Sequence, residues 1–321
     1  MSQPNQPVVI LNPRAAGGRA AKRWPRIATL LANKLGPVEP RFTAHPGHAT
    51  QLVRRALMDG SELVIAVGGD GTINETVNGF LSGDEPINPN AHLGIIPIGT
   101  GGDFQRTIGI PSDVEQAVDI IANGFARPID VGVAHLEGDD GHPVERYFVN
   151  LTSFGMGGDV SVRAKNFLTP LGGKIAFMYA TFAVFFTYRA KQVRLTLDGE
   201  LLPDELRITN VAIGNGRYHG GGMHPCPRAV LDDGLVEVTT IDYLNMFELV
   251  RDLRVLYSDD IYKHPKVRHH RAKTVLAESD EPVRIELDGE AVGTLPLEVR
   301  ILPRCLPLLV SADGPLGSTP A

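Results

Sequence analysis

Val64-Ile65-Ala66-Val67-Gly68-Gly69-Asp70-Gly71-Thr72-Ile73-Asn74-Glu75 runs apolar, β-favouring residues into three glycines threaded by Asp70 and followed by Thr72. The stretch reads as a buried strand, a turn and a helix start. Glycine lets a backbone approach an anion with no Cβ in the way, and the N–H groups at a helix N-terminus add donors and the positive dipole end. Polyphosphate suits such a turn. A tight strand-to-helix connection without a guest is the alternative, because short glycine motifs recur by chance. No Gly-Lys-Ser/Thr follows, so this is not a Walker loop, and the spacing is not that of a dinucleotide fingerprint.

Outward from this turn, strands and helices alternate. Val8–Leu11 reads as a strand ended by Asn12-Pro13, 20–35 as a helix, 41–43 as a short strand, 49–58 as a helix and 63–67 as a strand. Residues 72–81 then form a helix, 92–97 a strand and 114–123 a helix ended by Gly124. Such alternation predicts a parallel sheet covered on both faces. After about Val131 the pattern turns to extended runs at 147–151, 192–197, 207–213, 235–241 and 283–287, with helical inserts near 175–189 and 245–257. The expected fold class is α/β plus β-rich: an N-terminal parallel-sheet domain over 1–131 and a C-terminal antiparallel β-rich domain over 132–303. A last strand within 304–313 is expected to return to the first domain.

The chain has 321 residues, 43% of them hydrophobic, enough for a full core and about two domains. A net charge of −6 supplies no general basic field for nucleic acid. Cys226 and Cys305 lie far apart without Cys-x-x-Cys spacing, which argues against a zinc site and agrees with a reducing cytoplasm. The polar start, Met1 to Pro7, lacks the basic head and apolar middle of a secretory signal, and the apolar run 175–186 is too short to span a bilayer. His45 and His48 read as solvent-facing or capping residues rather than a metal pair, since no third ligand lies near.

Together with a second turn, Pro97-Ile98-Gly99-Thr100-Gly101-Gly102-Asp103-Phe104, the first turn resembles the diacylglycerol kinase catalytic family. That family includes bacterial lipid kinases and sphingosine kinases and is related to the NAD kinases. The resemblance implies an ATP site made of Asn12, Pro13, Thr43, Gly68, Gly69, Asp70, Gly71, Thr72, Thr100 and Asp103. Ala16 stands where the family carries glycine, and Gly102 where it often carries asparagine. Arg106, three residues after Asp103, reads as its local ion-pair partner.

The second half adds Asp288-Gly289-Glu290 at a strand end. Asp-Gly is an ordinary hairpin turn, yet a kinase acting on an alcohol needs a carboxylate to accept the hydroxyl proton. The resemblance implies Glu290 as that base with Asp288 beside it. It likewise implies a structural Mg²⁺ at Asp233 with the carbonyls of Val230 and Leu235, and oxygen-only ligation suits a hard cation. The motifs Asn150–Gly155, Gly157–Asp159 and Gly214–Met223 complete the match, which runs from Val8 to about Val310.

These readings lead to an ATP- and Mg²⁺-dependent lipid kinase acting in the cleft between the two halves. Its acceptor would be a free hydroxyl on a diacylglycerol-like or long-chain-base lipid. It would be cytoplasmic, transiently peripheral at the inner membrane face, without nucleic-acid partners, and with a homodimer left open. The alternatives are an NAD kinase-like enzyme with a soluble acceptor and a non-catalytic lipid- or nucleotide-binding regulator of the same fold. The apolar helix within 175–189 could line an acyl groove or simply pack inside its domain, and Tyr262–Arg271 is a basic cluster able to attract anionic lipid or to stay solvated.

Overall fold

The computed structural model describes residues 6–99, 101–165, 183–184 and 187–316. The chain divides into two compact units, residues 1–129 with 304–321, and residues 130–303. The protein is mixed α/β with a β-rich second part.

The first unit orders its elements as β1 (Val8–Leu11), α1 (Ala15–Leu35), β2 (Glu39–Phe42), α2 (His48–Met58), β3 (Leu63–Gly68) and α3 (Asp70–Phe80). A small hairpin of β4 (Leu81–Ser82) and β5 (Glu85–Pro86) follows, then β6 (His92–Pro97), α4 (Asp103–Ile108) and α5 (Val114–Asn123). β2, β1, β3 and β6 pair in that order, all parallel, and Leu308 of the chain's last strand joins β6 at Leu93. Val8 to Leu11 and Val64 to Val67 are buried at every position, the pattern of strands covered on both faces. α1 packs against α5 and α2 against α3. The α2–α3 contact is close because Gly79 faces Val53 and the Thr50 carbonyl, where a Cβ would collide.

α1 does not start as a regular helix. Ala16, Gly17 and Gly18 are all left-handed, with φ of 52°, 68° and 84°, and helical geometry begins only beyond them. Ala16 therefore holds a conformation that glycine adopts at no cost and that an L-residue pays for by about 1–2 kcal/mol.

The second unit is antiparallel. It contains β7 (Phe125–Glu137, entering from the first unit), β8 (Pro143–Phe148), β9 (Leu151–Gly155), α6 (Met156–Lys165), β10 (Lys191–Leu197), β11 (Glu200–Leu201) and β12 (Leu206–Gly214). After these come β13 (Val236–Asp242), α7 (Met246–Asp252), β14 (Val267–Ala272), β15 (Thr274–Glu278), β16 (Arg284–Leu287) and β17 (Glu290–Val310). The pairings β9–β12–β10–β15–β17–β16 return to β9, around a core that includes Phe148, Phe154, Leu195, Ile208, Val238, Ile285 and Leu297.

Two elements differ from the sequence reading. The single strand expected over 147–151 is interrupted at Val149 and Asn150, whose backbone groups bond to distant side chains and loops instead of a ladder. The helix expected over 245–257 is α-helical only to Asp252 and then tightens to a 3-10 turn at Leu253–Tyr257. Of the apolar run 175–186, only Ala183 and Val184 lie among the described residues.

Candidate active site

Register in the first unit places every expected nucleotide residue that is described at one edge, the carboxyl ends of the parallel strands. Leu11 is level with Phe42 and Val67, and Gly68 with Pro97. Beyond these ends, Asn12 donates its N–H to Val67, Thr43 donates to the Leu11 carbonyl, and Ile98 donates to the Gly68 carbonyl at 2.7 Å. Asn12 Oδ1 accepts the Arg14 N–H at 3.0 Å and fixes the turn through Pro13. In open α/β sheets this edge is where ligands bind. Thr100 lies outside the described residues.

The two glycine turns are built against each other. A Cβ on Gly99 would stand 2.9 Å from the Gly69 Cα, and one on Gly101 would stand 2.8 Å from Asp70 Oδ2. Glycine at 68 is likewise required, because a side chain there would strike Thr72, which is buried. Gly69 is different. Its φ is −94°, and an added Cβ would meet only the Gly99 Cα at 3.4 Å and the Ile98 oxygen at 3.9 Å. The fold tolerates alanine at 69.

Asp70 joins the turns. Its carboxylate accepts the N–H groups of Gly102 at 2.9 Å, Asp103 at 3.3 Å and Phe104 at 3.2 Å, so it caps α4. Burial, then the nearby Asp103 charge, pushes its carboxyl above the usual range, opposed by those three donors. The side chain is thus engaged by protein at both oxygens. Asp103 is buried and pairs with Arg106 at 2.7 Å. Gly102 has φ +67°, a left-handed position that asparagine as well as glycine tolerates. That shared tolerance accounts for the exchange of asparagine for glycine.

In the second unit, Asp288 and Gly289 are the central residues of a two-residue hairpin, with φ of 46° and 90° and Leu287 paired to Glu290. Asp288 is locked: its N–H donates to the Leu151 carbonyl, Oδ1 accepts Leu151 N–H at 2.8 Å and Oδ2 accepts Val149 N–H at 3.4 Å. Glu290 opens β17 and is exposed. Under the hairpin lies a carboxylate that the sequence reading missed. Glu286, fully buried, accepts Ser153 Oγ and the Gly289 N–H, each at 2.8 Å, and lies 3.4 Å from His219 Nε2. Asn150 and Asn215 extend this network: Asn150 Nδ2 donates to the Tyr218 carbonyl, and Asn215 Nδ2 donates to the carbonyls of Asp130 and Val149. An acidic residue inside a short strand was the only sequence signal for Glu286.

The loop of the expected metal is organised by Asp130, another residue the sequence reading missed. Asp130 is fully buried, donates its N–H to the Leu231 carbonyl at 2.6 Å and accepts the Gly234 N–H at 2.7 Å. Asp233 Oδ1 accepts the Leu235 N–H at 3.1 Å, and Oδ2 is ion-paired with Arg271. Both carboxylate oxygens therefore have partners, and a guanidinium already neutralises the charge that a cation would meet. A cation at the expected site of Asp233, Val230 and Leu235 would have to displace the Arg271 guanidinium. Among the described residues no group of three His, Cys, Asp or Glu is placed to hold a metal.

The glycine turns thus stand at the carboxyl ends of a parallel sheet, and the Asp-Gly-Glu hairpin stands in the antiparallel unit. Residues 6–134 match the diacylglycerol kinase catalytic domain, and residues 150–310 match the YegS C-terminal NAD kinase beta sandwich-like domain. A diacylglycerol kinase of Staphylococcus aureus (strain JH9) is 30% identical over 306 residues, covering 95% of this chain and 92% of the relative. One from Staphylococcus saprophyticus is 29% identical over 288 residues, covering 90% of each. The chain belongs to the diacylglycerol kinase family. A solved structure of a diacylglycerol kinase from Bacillus anthracis str. Sterne shares the fold, with a TM-score of 0.69, 22% identity, and 97% and 98% of the two chains covered. Yeast NADH kinase is a more distant match, with a TM-score of 0.55, 13% identity, and 96% and 83% covered.

Proposed function

We propose that the protein transfers the γ-phosphate of ATP, bound as its magnesium complex, to a free hydroxyl of a diacylglycerol-like or long-chain-base lipid. The observation that carries this reading is Gly69, a glycine that the protein's own packing does not require, at the strand edge where an open α/β sheet binds its ligand. Asn12, Thr43, Gly68 to Thr72 and the turn from Thr100 to Asp103 are the proposed nucleotide contacts. In the transfer the acceptor oxygen forms a bond to the γ-phosphorus as the bond to the β-bridging oxygen breaks, and ADP leaves. Glu290 takes the hydroxyl proton. Asp288, bonded to the backbone of Val149 and Leu151, acts as the residue that positions the hairpin rather than as the base. Both of its oxygens are already accepting.

A lipid acceptor implies an encounter with the cytoplasmic membrane face by a protein in which, among the described residues, no helix is long and apolar enough to cross a bilayer. The test is incubation with γ-labelled ATP against diacylglycerol, a long-chain base and NAD, with mass spectrometry of the product. Phosphorylated lipid supports the reading. Phosphorylated NAD moves the assignment to the soluble-acceptor branch, which the fold likeness to yeast NADH kinase keeps as the second reading. Nucleotide binding with no product from any acceptor favours a non-catalytic regulator.

A further inference from the structure

Glu286 is a buried acid that the proposed transfer does not use, and its surroundings single out His219. Beneath the hairpin β16 and β17 lose step: Ile285 pairs with Gly293 but Glu286 with Ala291, which leaves Val292 as the extra residue of a bulge. A bulge re-aims side chains and is common beside active sites. On its other side Glu286 lies opposite Ser153 of β9, whose hydroxyl donates to Oε1 at 2.8 Å. Oε2 accepts the Gly289 N–H at 2.8 Å. A fully buried carboxylate is costly unless it is both hydrogen-bonded and paired. His219 Nε2, itself buried, faces Oε1 at 3.4 Å.

Main-chain bonds shape the loop that carries His219. Its N–H donates to the Met223 carbonyl at 2.9 Å and its carbonyl accepts the Gly222 N–H at 3.3 Å, closing a turn over three glycines. Gly220, Gly221 and Gly222 have φ of 61°, 84° and 117°, a left-handed run that glycine adopts without strain. The imidazole is thereby directed onto Glu286. Two carboxylates then grip the hairpin: Asp288 holds the N–H groups of Val149 and Leu151, and Glu286 holds the peptide between Asp288 and Gly289. Glu290 follows directly, and as an exposed side chain it takes its direction from the backbone beneath it.

We infer that His219 is a positioning residue for the transfer: through Glu286 it steadies the Gly289 peptide and so aims Glu290 at the acceptor hydroxyl. The inference rests on the reading of Glu290 as the base. The part played by His219 is orientation, and the proton still goes to Glu290.

The experiment uses the full chain with γ-labelled ATP and a detergent-dispersed short-chain diacylglycerol. The variants are His219→Asn, His219→Phe, His219→Gln, Glu290→Gln and the double variant His219→Asn/Glu290→Gln. Glu286 stays in place, because its removal would also strip Ser153 and Gly289 of their acceptor. Asparagine is too short to reach Oε1 and phenylalanine fills the space without a donor. Each should lower kcat about tenfold or more, with KM for both substrates held within about twofold. His219→Gln keeps an N–H near the Nε2 position and should restore most of the rate. The double variant should be no slower than Glu290→Gln alone, since a residue that acts through the base has nothing left to aim. Hydrogen exchange of peptides covering the hairpin should quicken in His219→Asn and return towards wild type in His219→Gln. If His219→Phe does not fold, the Asn and Gln variants decide. Wild-type kcat in His219→Asn overturns the inference, as does a loss that His219→Gln fails to restore, a loss that multiplies in the double variant, or unchanged exchange. A wild-type protein that phosphorylates neither lipid nor NAD overturns the kinase reading, and the inference with it.

Discussion

Asp70 and Asp288 are both carboxylates held by backbone N–H groups, but over very different stretches of chain. Asp70 reaches 32 to 34 residues, to Gly102, Asp103 and Phe104. Asp288 reaches back 137 and 139 residues, to Leu151 and Val149. In the first unit two neighbouring parallel strands end at the same edge, so their turns meet as soon as β3 and β6 pair. In the second unit the hairpin finds its partners only after β16 has docked on β9. The two regions also present different chemistry. The proposed nucleotide edge is built of closely packed glycine turns, while the hairpin rests on a buried network of Glu286, Ser153 and His219.

The largest effect tests the exposed end of the hairpin. Glu290→Gln keeps size and hydrogen bonding but removes basicity, so kcat should fall by roughly 10²–10⁴-fold, the range for a positioned general base. Nucleotide affinity and melting temperature should stay put. Turnover close to wild type would remove Glu290 as the base.

Gly69→Ala probes the opposite region. The structure predicts a stably folded variant whose KM for nucleotide rises about tenfold or more, since a methyl group would stand between the phosphate and its donors. A raised KM accompanied by a large drop in melting temperature would mean that glycine serves packing here.

Glu286→Leu should mainly affect stability, by about 1–3 kcal/mol, because Ser153 Oγ and the Gly289 N–H would lose their buried acceptor. Glu286→Gln should recover part of this loss by keeping one acceptor oxygen. Equal melting of all three proteins would show that the hairpin does not depend on the network beneath it.

The smallest effect is expected at Asp233. Its partner Arg271 is half-exposed, and such a pair contributes about 0–1 kcal/mol. Asp233→Ala should therefore shift melting slightly and equally with and without Mg²⁺. A wild-type melting temperature that rises with Mg²⁺, and an Asp233→Ala variant that does not respond, would show that the cation displaces the guanidinium.

The residue pattern alone specified what depends on neighbours in the chain. β-favouring runs, the glycine turns after β3 and β6, the Asp-Gly hairpin signal and the change from alternating to β-rich structure after about residue 131 are short-range features. Each follows from local sterics and from hydrophobic periodicity. The left-handed geometry at Ala16 and Gly102 could not be read this way; it accommodates the change at Gly102, whereas nothing in the structure explains alanine at 16. Only the tertiary structure decided which carboxylates are engaged. It set Asp70 against the start of α4, fixed Asp288 on a distant strand, placed Arg271 against Asp233, and buried Glu286 and Asp130 where the sequence shows ordinary acids. A carboxylate's role depends on the donors and charges that long-range strand pairing brings within hydrogen-bond reach, and those partners lie tens to more than a hundred residues away.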